Sequence, residues 1–232
     1  MKEIKIGNQV WMAENLNIFS FRNGDPVPIV KTNEEWINAR ISKQPACCYY
    51  NNTYENGKKY GLLYNWYAVN DSRGLVPEGW HIPSYKEWNK LTIFSGGKGV
   101  VGTKLKNTDG WDSYQKNIEC TICKEWTPQQ KAGQICTTCN DTRKVKGDFS
   151  GNGSNSFGFS GLPGGYRHPN GNFYEIGKCC KWWSLNANWW GSIIYISDRL
   201  QTWGTELYDV SDDLRLKRFN KGQGLSVRCI RD

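Results

Sequence analysis

The stretch CTICKEWTPQQKAGQICTTC, residues 120–139, limits this chain more tightly than any other. Cys120 and Cys123 form one C-x2-C pair. Cys136 and Cys139 form a second, after twelve intervening residues. Each C-x2-C turn directs two sulfurs at one point. Two such turns supply four soft thiolates in a tetrahedron, the donor set that suits Zn²⁺. Lys131 and Gly133 precede the second pair, where a tight knuckle approach is expected. Two disulfides or a redox C-x2-C are the alternatives. With four thiolate ligands no coordination position is left for water, so the expected role of the metal is structural. The surrounding segment is polar and short of apolar residues, and the metal would serve as its core.

Five further cysteines remain: Cys47, Cys48, Cys179, Cys180 and Cys229. Their number is odd, so at least one is free or pairs between chains. The two adjacent pairs invite a vicinal disulfide or a second metal site, but buried free thiols are the commoner state. A nucleophilic cysteine needs a nearby histidine. The two histidines, His81 and His168, sit in no recognisable catalytic pattern and read as structural or surface groups.

Chain length of 232 residues permits one large domain or two small ones, each with a real core. Mean hydropathy is −0.68. No stretch approaches the roughly 20 apolar residues of a membrane span. The opening MKEIKIGNQVWMAENL has no apolar run of the signal-peptide kind. Thirty basic and twenty-two acidic residues leave a net charge of +8, and a Zn²⁺ held by four thiolates would lower it to about +6. Basic residues are scattered, with a denser run from Lys124 to Lys146, and no nucleic-acid motif accompanies them. Twelve Trp and twelve Tyr are unusual. Such side chains are enriched at recognition surfaces, and they also pack cores built from short strands and loops.

Residues 1–20 read as strand then turn, with Ile4, Ile6 and Val10 on the even-numbered face. TNEEWINARIS predicts a helix capped by Asn33, with Trp36, Ile37 and Ile41 at helical spacing. YGLLYNWYAVN is a buried strand or a helix, which periodicity alone does not separate. Ser84 followed three residues later by Glu87 predicts a capping box, and Gly96-Gly97 predicts the end of that helix. After residue 150, Gly, Asn and Ser alternate with aromatics, and turns such as PNGN separate short strands. No internal repeat or linker is visible, so the chain reads as one α+β domain spanning 1–232.

Four stretches in order carry a family likeness: IGNQVWMAENL (6–16), YGLLYNWYAV (60–69) with VPEGWHIPSYKEW (76–88), NSFGFSGLPGGYR (155–167) and GLSVRCIRD (224–232). Together they resemble the major paralogous domain family named for Fibrobacter succinogenes. That family is related in fold to C-type lectins and to the formylglycine-generating-enzyme group. The resemblance implies a C-type-lectin-like fold with two early helices, a small twisted antiparallel sheet and long loops. In such a fold SNSFGFSGLPGGYR is scaffold, its glycines turning the backbone and Phe157, Phe159, Leu162 and Tyr166 pinning it to the core. Residues 113–147, which hold the paired C-x2-C, depart from the family pattern and read as a zinc-knuckle insertion. No leader of the kind many members carry is visible, and the family's setting implies an extracellular, cell-surface or virion location.

The C-terminal stretch also resembles the ends of variable proteins diversified by retroelements, in which a lectin-like scaffold displays randomised ligand-binding residues. Asn186, Asn188, Tyr195 and Arg199 belong to the residue set reached by mutating adenines in AAC-type codons. Trp189, Trp190 and Trp203 do not, and would be fixed anchors. With Tyr208 these form the expected ligand-binding face, since rigid aromatics flanked by small polar residues match recognition surfaces. The leading expectation is a non-catalytic module that binds a protein or glycan on another cell or particle. A formylglycine-generating-enzyme-like oxidoreductase using Cys179 and Cys180, or a purely structural surface protein, are the alternatives. For a lectin-like Ca²⁺ site the late chain offers only YDVSDDL, which a solvated turn explains equally well.

Overall fold

The computed structural model describes residues 2–127, 130, 134–140, 142–185 and 200–232. Its first half contains strands β1 (Glu3–Ile6), β2 (Gln9–Met12), β3 (Cys47–Cys48), β4 (Leu63–Tyr64) and β5 (Trp80–His81). Between them lie helices α1 (Asn33–Ile41), α2 (Tyr54–Tyr60), α3 (Trp66–Val69), α4 (Tyr85–Phe94) and α5 (Val101–Leu105). The second half is β-rich: β6 (Ser113–Glu119), β7 (Lys144–Ser150), β8 (Gly164–Arg167), β9 (Phe173–Ile176), β10 (Cys179–Trp183), β11 (Gln201–Tyr208), β12 (Ser211–Asn220) and β13 (Ile230–Arg231). The described residues are therefore mixed α+β, with few helices and several small sheets.

Four strands pair in the order β1-β2-β13-β5, and five in the order β12-β11-β10-β8-β9. β13 bonds to both β2 and β5, with Ile230 opposite Trp11 and opposite His81. This places the two ends of the described chain in one sheet. The larger sheet is mixed rather than antiparallel, because β8 and β10 run parallel. The expected two early helices correspond to α1 and α4, the longest of the five.

Local signals account for both. Ser84 and Glu87 form the capping box of α4, and Gly96 and Gly97 follow its end with positive φ. In α1 the cap is Thr32, one residue before the expected Asn33, because the Thr32 side chain accepts from Glu35 N and Glu35 returns a bond to the Thr32 N–H. The buried face of α1 is Trp36 and Ala39, and Ile41 is exposed. YGLLYNWYAV is both strand and helix, divided at Asn65. That side chain accepts from Ala68 N at 2.9 Å to start α3 and from Ala46 N at 3.1 Å. The even-face expectation for residues 4–10 holds within β1 only. Gly7-Asn8 closes a two-residue turn, with Gly7 at φ +62°, so Ile6 faces Gln9 and Ile4 faces Trp11. Val10 consequently turns to the opposite core cluster from Ile4 and Ile6.

Strand β10, CCKWW, is buried along its whole length. Side chains alternate across a strand, so one strand serves two cores. Cys180 and Trp182 join Trp11, Trp88, Phe159 and Leu207 on one side. Trp183 joins Tyr64, Trp66, Phe219 and Val227 on the other. The C-terminal run repeats the device: Leu225, Val227 and Cys229 enter the second of these clusters and Ile230 the first. Eight of the ten described tryptophans are buried, so most of the aromatic excess is core.

SNSFGFSGLPGGYR is held as scaffold. Phe159 is fully buried against Trp11, Trp88 and Trp182, and Phe157 packs on Phe94. Tyr166 stacks on Tyr174 across the β8–β9 pair, and Leu162 is half-buried. Trp111 Nε1 donates to Gly161 O at 2.9 Å. The β8–β9 connection is the PNGN turn expected from sequence.

β6 and β7 pair only with each other among the described strands, from Ser113↔Ser150 to Glu119↔Lys144. The segment expected as an insertion is thus a two-stranded ribbon, and β7 continues to Ser150, past residue 147.

Candidate functional site

The ribbon leads directly into the four cysteines. Glu119 ends β6 next to Cys120, and Cys120 N donates to Arg143 O at 2.9 Å, just before β7 begins. Cys120 Sγ lies 3.8 Å from Cys136 Sγ, and Cys123 Sγ lies 3.6 Å from Cys139 Sγ. All four sulfurs fall within 4.8 Å of one another and all four residues are buried. A disulfide would need about 2.05 Å. Metal–sulfur bonds of about 2.3 Å in a regular tetrahedron place the sulfurs about 3.8 Å apart. The cluster is therefore compatible with a structural metal site, and Cys120, Cys123, Cys136 and Cys139 would hold the ion. Trp126 and Val145 are the apolar side chains packed against it. Lys131 and Gly133 lie outside the described residues.

The thiols are unequal. Backbone N–H groups of Cys123 and Ile122 point at Cys120 and lower its pKa to about 7. Desolvation, reinforced by the neighbouring sulfurs, pushes Cys123 up to about 12 and raises Cys139 as well. The Cys120 thiolate forms readily, and Cys123 and Cys139 resist ionisation until a cation compensates them.

The remaining five cysteines are separate free thiols. Cys47 and Cys48 are neighbours in β3 and enter different clusters. Cys180 faces the Trp182 cluster, whereas Cys179 Sγ donates to Glu175 Oε2 at 3.2 Å. Adjacent strand residues point oppositely, so neither pair converges on one ligand. Burial raises all five thiol pKa values, Cys180 and Cys229 to about 12.

Of the expected ligand face, Asn186, Asn188, Trp189, Trp190, Tyr195 and Arg199 lie outside the described residues. The flanks of that segment are placed. Leu185 bridges to Ser84 at the start of α4, and Leu200 O accepts from Lys221 N. Trp203 is half-buried on β11 opposite Arg218, whose guanidinium lies 5.2 Å from its ring. Tyr208 is not brought to Trp203. It lies on the other face of β11, where its hydroxyl donates to Glu175 Oε2 at 3.1 Å beside the buried Lys181. Asp209 and Val210 form the β11–β12 turn, but Asp209 is buried and desolvation raises its carboxyl pKa, so this part of YDVSDDL is not the solvated turn expected. Asp212 and Asp213 there are engaged by Lys106 and by Gly99 N.

Both histidines have structural partners. His168 Nδ1 accepts from Asn170 N within the β8–β9 turn. His81 is clasped by Glu87 Oε1 at 2.8 Å and Asp232 Oδ1 at 2.7 Å. Burial alone would lower its pKa, but the two carboxylates outweigh this and raise it. A raised folded-state pKa gives stability that is complete below the unfolded value of about 6.5 and is lost as pH rises through the folded value. We expect the melting temperature to fall between pH 6 and pH 8, and His81→Gln to flatten that slope. An equal slope in the variant would remove His81 as the cause.

Sequence reading missed two buried arginines. Arg228 is 1% exposed; Nε and Nη2 donate to Asn15 Oδ1, and Nη1 donates to Met12 O and Phe159 O. Arg167 is fully buried; it donates to Val30 O and Thr32 O and rests on the Trp36 and Phe173 rings. Each clasps segments distant in sequence. The available signal was an arginine inside otherwise buried strand patterns, GGYR and SVRCI.

The described residues thus form a mixed α+β scaffold of small sheets, with a two-stranded ribbon that carries a four-cysteine cluster compatible with a structural metal site. The family description Fibrobacter succinogenes major domain matches residues 4–231, and the chain belongs to that family. No curated protein matches the chain, and neither does any solved structure. No described helix is long and apolar enough to cross a membrane.

Proposed function

We propose that residues 1–232 form one C-type-lectin-like, non-catalytic binding module that recognises a protein or glycan on another cell or particle. The observation that carries this reading is Trp203. It keeps partial exposure on β11 while eight other described tryptophans are buried, and it borders the connection 186–199. Recognition would centre on that connection and Trp203. The opposite face of β11 removes Tyr208 from the same patch. Zn²⁺ on the four knuckle cysteines stabilises the 113–147 insertion, since thiolate-only tetrahedra suit that ion. The separation of Cys179 from Cys180 and their raised pKa values speak for a non-catalytic role and against an oxidoreductase.

Display of the module at a cell or virion surface, and diversification by a retroelement, belong to the same proposal. A reverse-transcriptase gene beside a near-copy of the 3′ coding end would support diversification, and its absence would remove that part. Binding itself is tested on protein and glycan arrays probed with the purified domain. Once a ligand is found, Trp203→Ala is expected to cost about 2 kcal/mol or more of binding and to leave the melting temperature nearly unchanged. A variant that unfolds yet binds normally in its folded fraction would make Trp203 core and displace the site.

A further inference from the structure

A polar cleft of about 320 Å³ lies away from β11, beside the loop after β2 and helix α2. That volume is at the lower end of the small-ligand range. All four stretches that carry the family likeness contribute to its wall: Asn15 from the first, Gly61 from the second, Ser160 from the third and Arg228 from the last. Scaffold packing alone does not require them to meet at an open cavity.

The wall is cationic. Lys2, Lys58 and Lys59 are exposed on it and Arg228 is buried in it, against the single acid Glu14. Arg228 gives an independent reason to expect an anion. Its four hydrogen bonds go to neutral oxygens of Asn15, Met12 and Phe159. A guanidinium has five N–H donors, so one on Nη2 is left over among the described residues. Burial lowers the Arg228 pKa to about 10, and the nearby Glu14 carboxylate, which makes no hydrogen bond to it, offsets this only in part. Buried charges are costly unless paired.

The remaining lining suits hydroxyl groups. Asn17, Asn107 and Ser160 line the cleft with polar groups held in place by the protein. Asn17 Nδ2 donates to Gly57 O at 3.4 Å, Asn107 Nδ2 donates to Asp109 Oδ1, and Ser160 Oγ accepts from Asn155 Nδ2 on a backbone at φ +52°, each oxygen keeping further acceptor capacity. A serine in the left-handed region is strained, and such strain concentrates at binding sites. Tyr60 is the one aromatic on the wall and is itself buried, so no ring is presented for stacking a nucleobase.

We propose that this cleft binds a sugar bearing an anionic group, with Arg228 and the three lysines facing the charge and Asn17, Asn107 and Ser160 facing the hydroxyls. The site is distinct from the Trp203 region, so Trp203→Ala leaves it intact.

The test is a ¹H–¹⁵N titration of the whole chain with glucuronate, glucose 6-sulfate, glucose and acetate. Saturable shifts at Asn15, Gly61 and Ser160 are expected with one or both charged sugars, and the better of them names the anionic group. Glucose and acetate are expected to bind at least about tenfold more weakly, as is the charged sugar to the Lys58→Glu/Lys59→Glu variant. Both lysines are exposed, so the variant is expected to fold, which its thermal transition checks. Equal binding of glucose, unchanged affinity in the double variant, or no saturable shift at these residues with either charged sugar would overturn the proposal.

Discussion

Chelating the metal is expected to unfold the tip of the ribbon, residues 120–143, while both larger sheets remain folded. The reason is that the described residues there form no core apart from the cysteine cluster. Among the described residues Trp126 and Val145 are the apolar side chains packed around the sulfurs, and Ile122 and Ile135 are exposed. Structural Zn²⁺ in small knuckles contributes about 10–16 kcal/mol of binding free energy, which in such units is folding free energy. No side-chain burial among the described residues of this tip is of comparable size. Unfolding should stop towards the base of the ribbon, where Tyr114 stacks on Phe149 at 5.7 Å and Gly151 N bonds to Asp112 O. Hydrogen exchange is the direct readout. Amides of 120–143 should lose protection on chelation or in Cys123→Ser, while those of β10 and β11 stay protected. Elemental analysis should give one zinc per chain purified without chelator. Protein without metal that still protects the tip would end this account.

The four-cysteine cluster was legible in the sequence because its information is local. Paired C-x2-C turns state ligand type, spacing and count within twenty residues, and the four sulfurs meet as expected. Capping signals at Ser84 and Glu87 were legible for the same reason. What depended on register was not. Val10 left the expected face because a two-residue turn exchanges parity between paired strands, and the parallel β8–β10 pair has no local signature. Tyr208 and Trp203 are five residues apart on one strand and therefore on opposite faces, which their aromatic character conceals. The cleft was illegible for a stronger reason. Asn15, Gly61, Ser160 and Arg228 span nearly the whole chain, and only the closed topology, with β13 between β2 and β5, brings them together.

Replacing Arg228 with methionine is expected to destabilise the domain by about 3–5 kcal/mol. Two opposing effects decide the sign. Burial costs the guanidinium part of its hydration, seen in a pKa lowered from 12.5 to about 10, which corresponds to roughly 3 kcal/mol. Methionine, of similar length and apolar, recovers that cost. Against it stand four hydrogen bonds from a charged donor, each contributing about 1.5–3 kcal/mol. Their acceptors cannot be removed with the arginine. Asn15 Oδ1 keeps the Trp182 Nε1 donor at 2.8 Å, but Phe159 O loses a partner inside the aromatic cluster. The hydrogen bonds therefore outweigh the desolvation. Asn15→Ala should be comparably costly, since Arg228 keeps its two carbonyl acceptors but four bonds are lost, among them the buried Trp182 Nε1 donor and the Nδ2 bond to Tyr60 O. Because the two residues share bonds, a double-mutant cycle by urea denaturation should show a coupling of about 1–3 kcal/mol. Additive losses would mean that the clasp is two independent contacts. An Arg228→Met variant within about 1 kcal/mol of the parent would show that desolvation cancels the bonds, and that the guanidinium is retained for what it binds.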